Sequence, residues 1–313
     1  MFLIAASMSC LSLIGCSKPY NLPVAPVSSG PPEVTSASPL TYISAWGSPG
    51  TGDDQFSHQN GIAVDSQGNV YTVDQERIEK FSSTGTYLTQ WGSPGSGDGQ
   101  FSDLSGICVD SNDNIYTCDQ GNSRIQKFSP SGTLLTQWGN SVQGQTWYCR
   151  GIAADPSGNV YVVDSLNQDI QKFDGNGNLI TQWSSEGSWA PTTSDPDGIA
   201  CDHWGNVYVT DFNNYCVDKF TDRGVFETTW GIQGSGPGQF GRLSCGICVG
   251  RNGIVYVSDY TNMRVSEFSL TGNYLCQWGN SGLGALGNFD YFCVSPAGQA
   301  YVEDNNTVKI FGD

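Results

Sequence analysis

GIAVDSQGNVYTVDQERIEKFSSTGTYLTQWG (residues 61–92) and GICVDSNDNIYTCDQGNSRIQKFSPSGTLLTQWG (residues 106–139) are two copies of one unit. The closing tryptophan marks the copies along the chain: Trp46, Trp91, Trp138, Trp183, Trp230 and Trp278, at intervals of 45, 47, 45, 47 and 48 residues. Self-similarity at such a period marks a repeat architecture, because each unit buries its apolar face only against its neighbours. Within one unit, Gly61-Ile62-Ala63-Val64-Asp65 is a short apolar run suited to a buried strand. Ser66-Gln67-Gly68-Asn69 supplies a turn, and Val70-Tyr71-Thr72-Val73-Asp74 is β-branched and aromatic. Arg77-Ile78-Glu79-Lys80-Phe81 alternates polar with apolar, and Tyr87-Leu88-Thr89-Gln90-Trp91 is a fourth strand. Four antiparallel strands joined by tight turns make one propeller blade. Two columns repeat six times: Tyr71, Tyr116, Tyr161, Tyr208, Tyr256 and Tyr301, then Phe81, Phe128, Phe173, Phe220, Phe268 and Phe311.

The count of strands predicts how the ring closes. Residues 40–46 form a fourth strand with no blade before it, and Val308 to Phe311 form a third strand with no fourth after it. The two fragments complete each other, removing open edges that invite aggregation. The expected fold is all-β, a six-bladed propeller over residues 40–313 closed by its own N-terminal strand.

The pattern Gly-Ile-x-x-Asp, Val-Tyr-x-x-Asp, Asn-x-Arg-Ile-Gln-x-Phe and a final Trp-Gly resembles the NHL repeat family. Asn122-Ser123-Arg124-Ile125-Gln126-Lys127-Phe128 carries that signature most fully, followed by Asn262-Met263-Arg264-Val265. The resemblance implies the fold but not one function, since propellers of this family include RNA-binding domains, receptor sensor domains and an amidating lyase.

Ahead of the repeats, residues 1–15 are apolar and uncharged, shorter than the ~20 residues of a membrane span, and read as the core of an export signal. Leu13-Ile14-Gly15-Cys16 resembles the bacterial lipoprotein box, with Cys16 as the lipidated residue, although no Lys or Arg precedes the run. Residues 16–39 are rich in Pro, Ser and Ala and read as an extended tether. The expected location is therefore the cell envelope, lipid-anchored and at the outer membrane if the cell is Gram-negative, with simple export as the alternative.

Net charge is −17 with only 13 basic residues, and those are scattered, which argues against a phosphate-backbone footprint. The two histidines, His58 and His203, fall on opposite faces of the expected disc, so they supply no shared zinc site. Of eleven cysteines, Cys108, Cys248 and Cys293 share a small-residue core column with Ala63, and Cys118 falls opposite Val73. An oxidising compartment permits one or two disulfides, with no pairing readable from spacing. Asp74, Asp119, Asp164, Asp211, Asp259 and Asp304 each end a second strand and read as turn anchors, with Arg77, Arg124 and Arg264 near enough to pair.

Function is better sought where the repeats disagree. Blades one, two and five share Gly-x-x-Gln-Phe in the loop leading to the first strand (residues 52–56, 97–101 and 236–240). Blade three has Trp147, Tyr148 and Arg150 instead, blade four has Trp189, Asp195 and Asp197, and blade six is cut short at Asp290-Tyr291. Aromatics with an arginine beside carboxylates on a loop face suit a ligand platform, while the two tryptophans serve equally as packing anchors. The residues just before each first strand, Asn60, Ser105, Arg150, Asp197, Cys245 and Asp290, converge on the axis. Asn60, Asp197 and Asp290 offer oxygens to Ca²⁺, at the level where the similar gluconolactonase-like propellers hold a divalent ion, whereas Arg150 offers Asp197 an ion pair instead. The sequence thus points to a monomeric, non-catalytic binding propeller that recognises a protein, peptide or glycan, with no nucleic-acid partner. The alternative is a lactonase-like hydrolase or lyase with an axial cation.

Overall fold

The computed structural model describes residues 33–139, 148–184, 195–287 and 289–313. Six four-stranded antiparallel sheets form the molecule. Blade one runs Gln59–Val64, Val70–Asp74, Arg77–Phe81 and Tyr87–Trp91 from axis to rim. The inner strands of the next four blades are Leu104–Val109, Cys149–Ala154, Pro196–Cys201 and Leu243–Val249, and that of blade six is Phe292–Val294. Each inner strand touches its neighbour in turn, and blade six meets blade one. Second strands such as Val70–Asp74 and Val160–Asp164 are buried throughout, while outer strands such as Leu134–Gly139 alternate between exposed and half-buried positions. Among the described residues no helix is long and apolar enough to cross a membrane.

Closure follows the expected scheme. Thr41–Trp46 lies antiparallel against Thr307–Gly312 and becomes the outer strand of blade six. The Thr41 hydroxyl donates to the Gly312 carbonyl at 2.9 Å. Phe311 is gripped by Trp278 of blade five (4.7 Å between ring centroids) and by Tyr42 (5.9 Å). The compact unit begins at Glu33. Its carboxylate accepts from Thr271 and Asn273, and Val34 and Ala37 pack on the blade-six core.

Each seam between blades repeats one contact. The tryptophan ending one blade tilts against the third-strand phenylalanine of the next, as in Trp46–Phe81 (4.3 Å) and Trp138–Phe173 (5.9 Å). Truncating one such core ring typically costs ~3–5 kcal/mol. Around the axis the backbones themselves meet. A Cβ on Gly151 would lie 2.6 Å from the Asp197 carbonyl oxygen, and one on Gly246 would lie 2.6 Å from that of Asp290. Glycine there lets the inner strands close to a tight ring, so the residue before it is held at the channel mouth.

The loops feeding that mouth are tied down by the repeated aspartates, all of them at most 1% exposed. Asp74 Oδ1 accepts the Ser57 and His58 amides (2.9 and 2.6 Å), Asp119 accepts that of Ser102 (2.8 Å) and Asp259 that of Gly241 (3.0 Å). Tyr148, Asp195 and Gly287 donate in the same way to Asp164, Asp211 and Asp304. In blades one, two and five an arginine joins each aspartate to the Gly-x-x-Gln-Phe loop. Arg124 Nε lies 2.7 Å from Asp119, and its Nη2 donates to the Gly97 and Gln100 carbonyls at 2.8 Å each. Gln126 completes this clamp, donating to the Gln100 carbonyl and accepting from the Gly99 amide. Blade one places Glu79 where blade two has Gln126. Glu79 is wholly buried, its oxygens make no hydrogen bond among the described residues, and burial raises its carboxyl to about 7 despite Arg77 at 3.4 Å.

Two outcomes follow from these contacts. Deleting residues 40–46 exposes the edge of blade six, so calorimetry should show the whole domain melting at a lower temperature. An unchanged melting point would refute the zipped closure. Glu79 carries a folded-state pKa above its unfolded value and is an acid, so its protonated form is the one that folding favours. The stability it permits is complete below its ordinary carboxylate pKa and declines as pH rises towards about 7. Glu79→Gln should therefore raise the melting temperature at pH 8 by roughly 2 °C or more, and much less at pH 4.

Candidate functional site

The mouth of the channel opens into a cavity of about 350 Å³ built from the loops before the inner strands and the turns after the second strands. Blades one to five share one repeated link. The backbone amide following the buried aspartate donates to a carbonyl in the loop opposite, as in Gln120 to Asp103, Ser165 to Tyr148, Phe212 to Asp195 and Tyr260 to Arg242. In blade six the amide of Glu303, one residue before the aspartate, donates to the Tyr291 carbonyl instead. Each link couples a turn residue to a loop residue, so variation at either position changes the lining and leaves the sheet intact.

Five of the six residues expected to converge on the axis line this cavity: Asn60, Ser105, Arg150, Asp197 and Asp290. The side chain of Cys245 lies outside the described residues. Arg150 Nη1 donates to Asp197 Oδ1 at 2.8 Å, with Asp197 nearly buried and Arg150 39% exposed. The guanidinium also sits 5.5 Å from the centre of the Tyr148 ring. Tyr148 and Tyr291 both face the cavity. Asp195 stands beside this pair. Burial raises its carboxyl, Arg150 opposes the shift, and Asp197 and Asp211 reinforce it. Asp290 is open to the cavity water yet crowded by protein atoms, so desolvation raises its carboxyl, Asp197 adds to the rise, and Arg242 and Arg150 oppose it. Trp147 and Trp189 lie outside the described residues, as do Cys16 and the leader before Glu33.

Several lining residues escape the sequence reading. Arg242 lies against the rings of Phe212 (4.7 Å) and Tyr260 (5.9 Å). Asp103 and Gln120 complete the wall on the blade-two side. The signal was present, since Gln120, Phe212 and Tyr260 all directly follow a repeated aspartate, in a column that reads Gln75, Gln120, Ser165, Phe212, Tyr260 and Asn305.

The polar groups of the ring are already engaged with protein. Ser105 Oγ donates to the Cys149 carbonyl at 2.9 Å, and Asn60 Nδ2 donates to the Leu104 carbonyl at 3.3 Å. His58 sits on the rim, in an adjoining cleft of about 280 Å³ shared with Asn60 and Asp103. His203 occupies the turn between the first two strands of blade four, on the far face, against Trp204.

Among the described residues, the carboxylates and thiols close enough to share an ion lie elsewhere, at Asp211, Cys216 and Asp218, mutually within 4.8 Å. Cys216 takes the arginine position of the clamp in blade four, and burial pushes its thiol up to about 12 and the Asp218 carboxyl up to about 6. The Asp211 carboxylate is occupied there by the amides of Asp195, Asn213 and Asn214.

The cysteine reading gains one bond: Cys118 and Cys149 form a disulfide joining the second strand of blade two to the inner strand of blade three. Cys108, Cys248 and Cys293 are free and lie in the core column assigned to them.

Residues 101–128 match the NHL repeat, and residues 148–233 match the SMP-30/Gluconolactonase/LRE-like region. Comparison with curated proteins finds no match. Among solved structures, a streptogramin B lyase superposes with a TM-score of 0.63 at 14% identity, covering 87% of this chain and 97% of its own. A catalytically inactive variant of virginiamycin B lyase from Staphylococcus aureus, with quinupristin, gives 0.59 at 12%, covering 82% and 95%. A protein of unknown function from Bacteroides thetaiotaomicron gives 0.65 at 17%, covering 87% and 75%. At these identities the likeness is one of fold. The chain is a six-bladed propeller, with one stretch that matches the NHL repeat and another similar to the SMP-30/Gluconolactonase/LRE-like region.

Proposed function

We propose that this protein is an envelope-anchored binding propeller whose channel mouth recognises a peptide, protein or glycan group without transforming it. The observation that carries this reading is the composition of the mouth. Aromatic rings and two arginines face several carboxylates across one cavity, and the Ser105 hydroxyl is spent on a backbone carbonyl with no histidine beside it among the described lining residues. Such a surface offers orientation and charge complementarity in place of an activated nucleophile. The test uses the full-length protein, with Arg150→Glu as the mouth variant and Trp204→Ala as a control on the opposite face. Retention of a defined pool of cell-wall peptides and oligosaccharides on the immobilised protein should fall about tenfold in the first and stay unchanged in the second. Turnover of the retained compound, or equal loss in both variants, would overturn the reading.

Anchoring belongs to the same proposal. Lipidated Cys16 tethers the chain, which joins the propeller at Glu33, beside the Thr271–Asn273 turn on the face away from the mouth. Cys16→Ser should move the protein from the membrane to the soluble fraction, since acyl chains supply the attachment. Persistence in the membrane fraction would count against the anchor.

A second reading, a lactonase-like hydrolase or lyase with an axial cation, is favoured by the match over residues 148–233, which contains Tyr148, Arg150, Asp195 and Asp197. The donor set fits such an ion poorly. Asp197 Oδ1 already accepts from Arg150, whose charge repels a cation, and Asn60 turns its amide nitrogen to the Leu104 carbonyl. Calorimetric titration with Ca²⁺ should therefore show no submillimolar site. Binding in that range, lost in Asp197→Ala and Asp290→Ala, would favour the enzyme reading instead.

A further inference from the structure

The two arginines of the mouth are not equivalent. Arg150 is committed to Asp197 at 2.8 Å. Arg242, by contrast, takes part in none of the ion pairs found among the described residues. Its guanidinium carbon lies 4.7 Å from the centre of the Phe212 ring and 5.9 Å from that of Tyr260. Contact with aromatic rings spends none of the guanidinium N–H donors, the groups that bind a carboxylate bidentately. The backbone that carries the two rings is tied down, because the Phe212 and Tyr260 amides donate to the Asp195 and Arg242 carbonyls at 3.0 Å each. Arg242 is thus exposed to the cavity but restrained, which lowers the entropy lost when a ligand pairs with it.

Blade six and blade two bring the opposite charge to the same cavity. Asp290 and Asp103 are both exposed and both line it. Asp290 carries the cost of desolvation and of the neighbouring Asp197, a burden that a bound cation would relieve. A purely anionic ligand that reached Arg242 would meet these carboxylates and the overall charge of −17. A purely cationic one would meet Arg150 and Arg242. A neutral sugar would leave the Arg242 edge without a charged partner. A dipolar ligand satisfies both walls, and about 350 Å³ lies at the small end of ligand pockets, the scale of an amino acid or a short peptide.

We propose that the mouth binds the free termini of a zwitterionic ligand, an amino acid or short peptide, with the α-carboxylate on Arg242 and the α-ammonium at Asp290. This rests on the binding reading above and narrows its ligand class. The aromatic rings beside the charges give the ligand side chain an apolar surface.

The experiment is a calorimetric titration of the full-length protein with the dipeptide Ala-Phe, its C-terminal amide, its N-acetyl derivative and a neutral disaccharide. Ala-Phe should bind, and each blocked derivative should bind at least about tenfold more weakly, the loss of one charge-assisted contact. Arg242→Gln should weaken Ala-Phe by a similar factor and abolish its advantage over the amide. Asp290→Asn should abolish its advantage over the N-acetyl form. Both side chains are exposed, so melting temperatures near that of the parent would separate loss of binding from loss of fold. Equal binding of all three dipeptide forms overturns the proposal, as does no binding of any. If the disaccharide binds instead and Arg150→Glu abolishes it, the zwitterion assignment falls while the binding propeller stands.

Discussion

A carboxylate buried at the end of every second strand is the constraint on which the rest of this molecule depends. An ionised group in the protein interior is tolerated only when its lone pairs are met by donors. Asp74, Asp119, Asp164, Asp211, Asp259 and Asp304 meet theirs with backbone amides of the loop that leads into the same blade. Because those donors are main-chain groups, the tie is indifferent to the side chains of the loop. The blades can therefore present unrelated residues at the mouth without loosening the sheet beneath. The arginine clamp is a second tie, and it travels with its target. Blades one, two and five have both the arginine and the Gly-x-x-Gln-Phe loop that it grips, whereas blades three and four have Asp169 and Cys216 in its place and a different loop. Blade six reaches the same end with Lys309, which pairs with Asp304 and donates to the Ala285 carbonyl.

The legibility of this fold in its sequence has a physical boundary. The tryptophan, phenylalanine and tyrosine columns were readable because each is buried at the same seam in each blade, so one side-chain volume is required six times. The axial ring was readable for a related reason: the glycine that allows inner strands to touch also fixes the register of the residue before it. Arg242 was hidden because blade five has a longer inner strand, Leu243–Val249, which shifts its lead-in by one residue against the other blades. The Cys118–Cys149 bond was hidden because one partner falls in a column of valines and the other in a divergent loop. Glu303 was hidden as well. It occupies the Val73 column, 4% exposed, and its oxygens have no hydrogen-bond partner among the described residues. Burial holds its carboxyl well above the ordinary range, with Asp74 and Asp290 adding to the effect.

The basic residues are divided between two tasks. Lys80, Lys127, Lys172 and Lys219 lie over the rings of Tyr71, Tyr116, Tyr161 and Tyr208, 4.9 to 5.6 Å from their centres. All four of those tyrosine hydroxyls donate to an aspartate at the opposite face: Tyr71 to Asp65, Tyr116 to Asp110, Tyr161 to Asp155 and Tyr208 to Asp202. These lysines are spent on the scaffold, and Arg77, Arg124 and Arg264 are spent on the clamps. The cations that remain at the mouth stand out against an acidic surface for that reason.

Within that pair, the difference between Arg150 and Arg242 decides what kind of recognition the mouth permits. A ligand carboxylate that approached Arg150 would have to compete with Asp197, which is nearly buried and would be left without its charged partner. Arg242 forms no such ion pair among the described residues, and its aromatic contacts with Phe212 and Tyr260 use none of its N–H donors. The ion pair therefore shapes the ring, while Arg242, set against aromatic rings, is the one with donors left for a ligand. Specificity in this reading comes from the lining positions that change from blade to blade, Phe212 of blade four, Arg242 and Tyr260 of blade five and Asp290 of blade six, on a scaffold that the repeated columns hold in place.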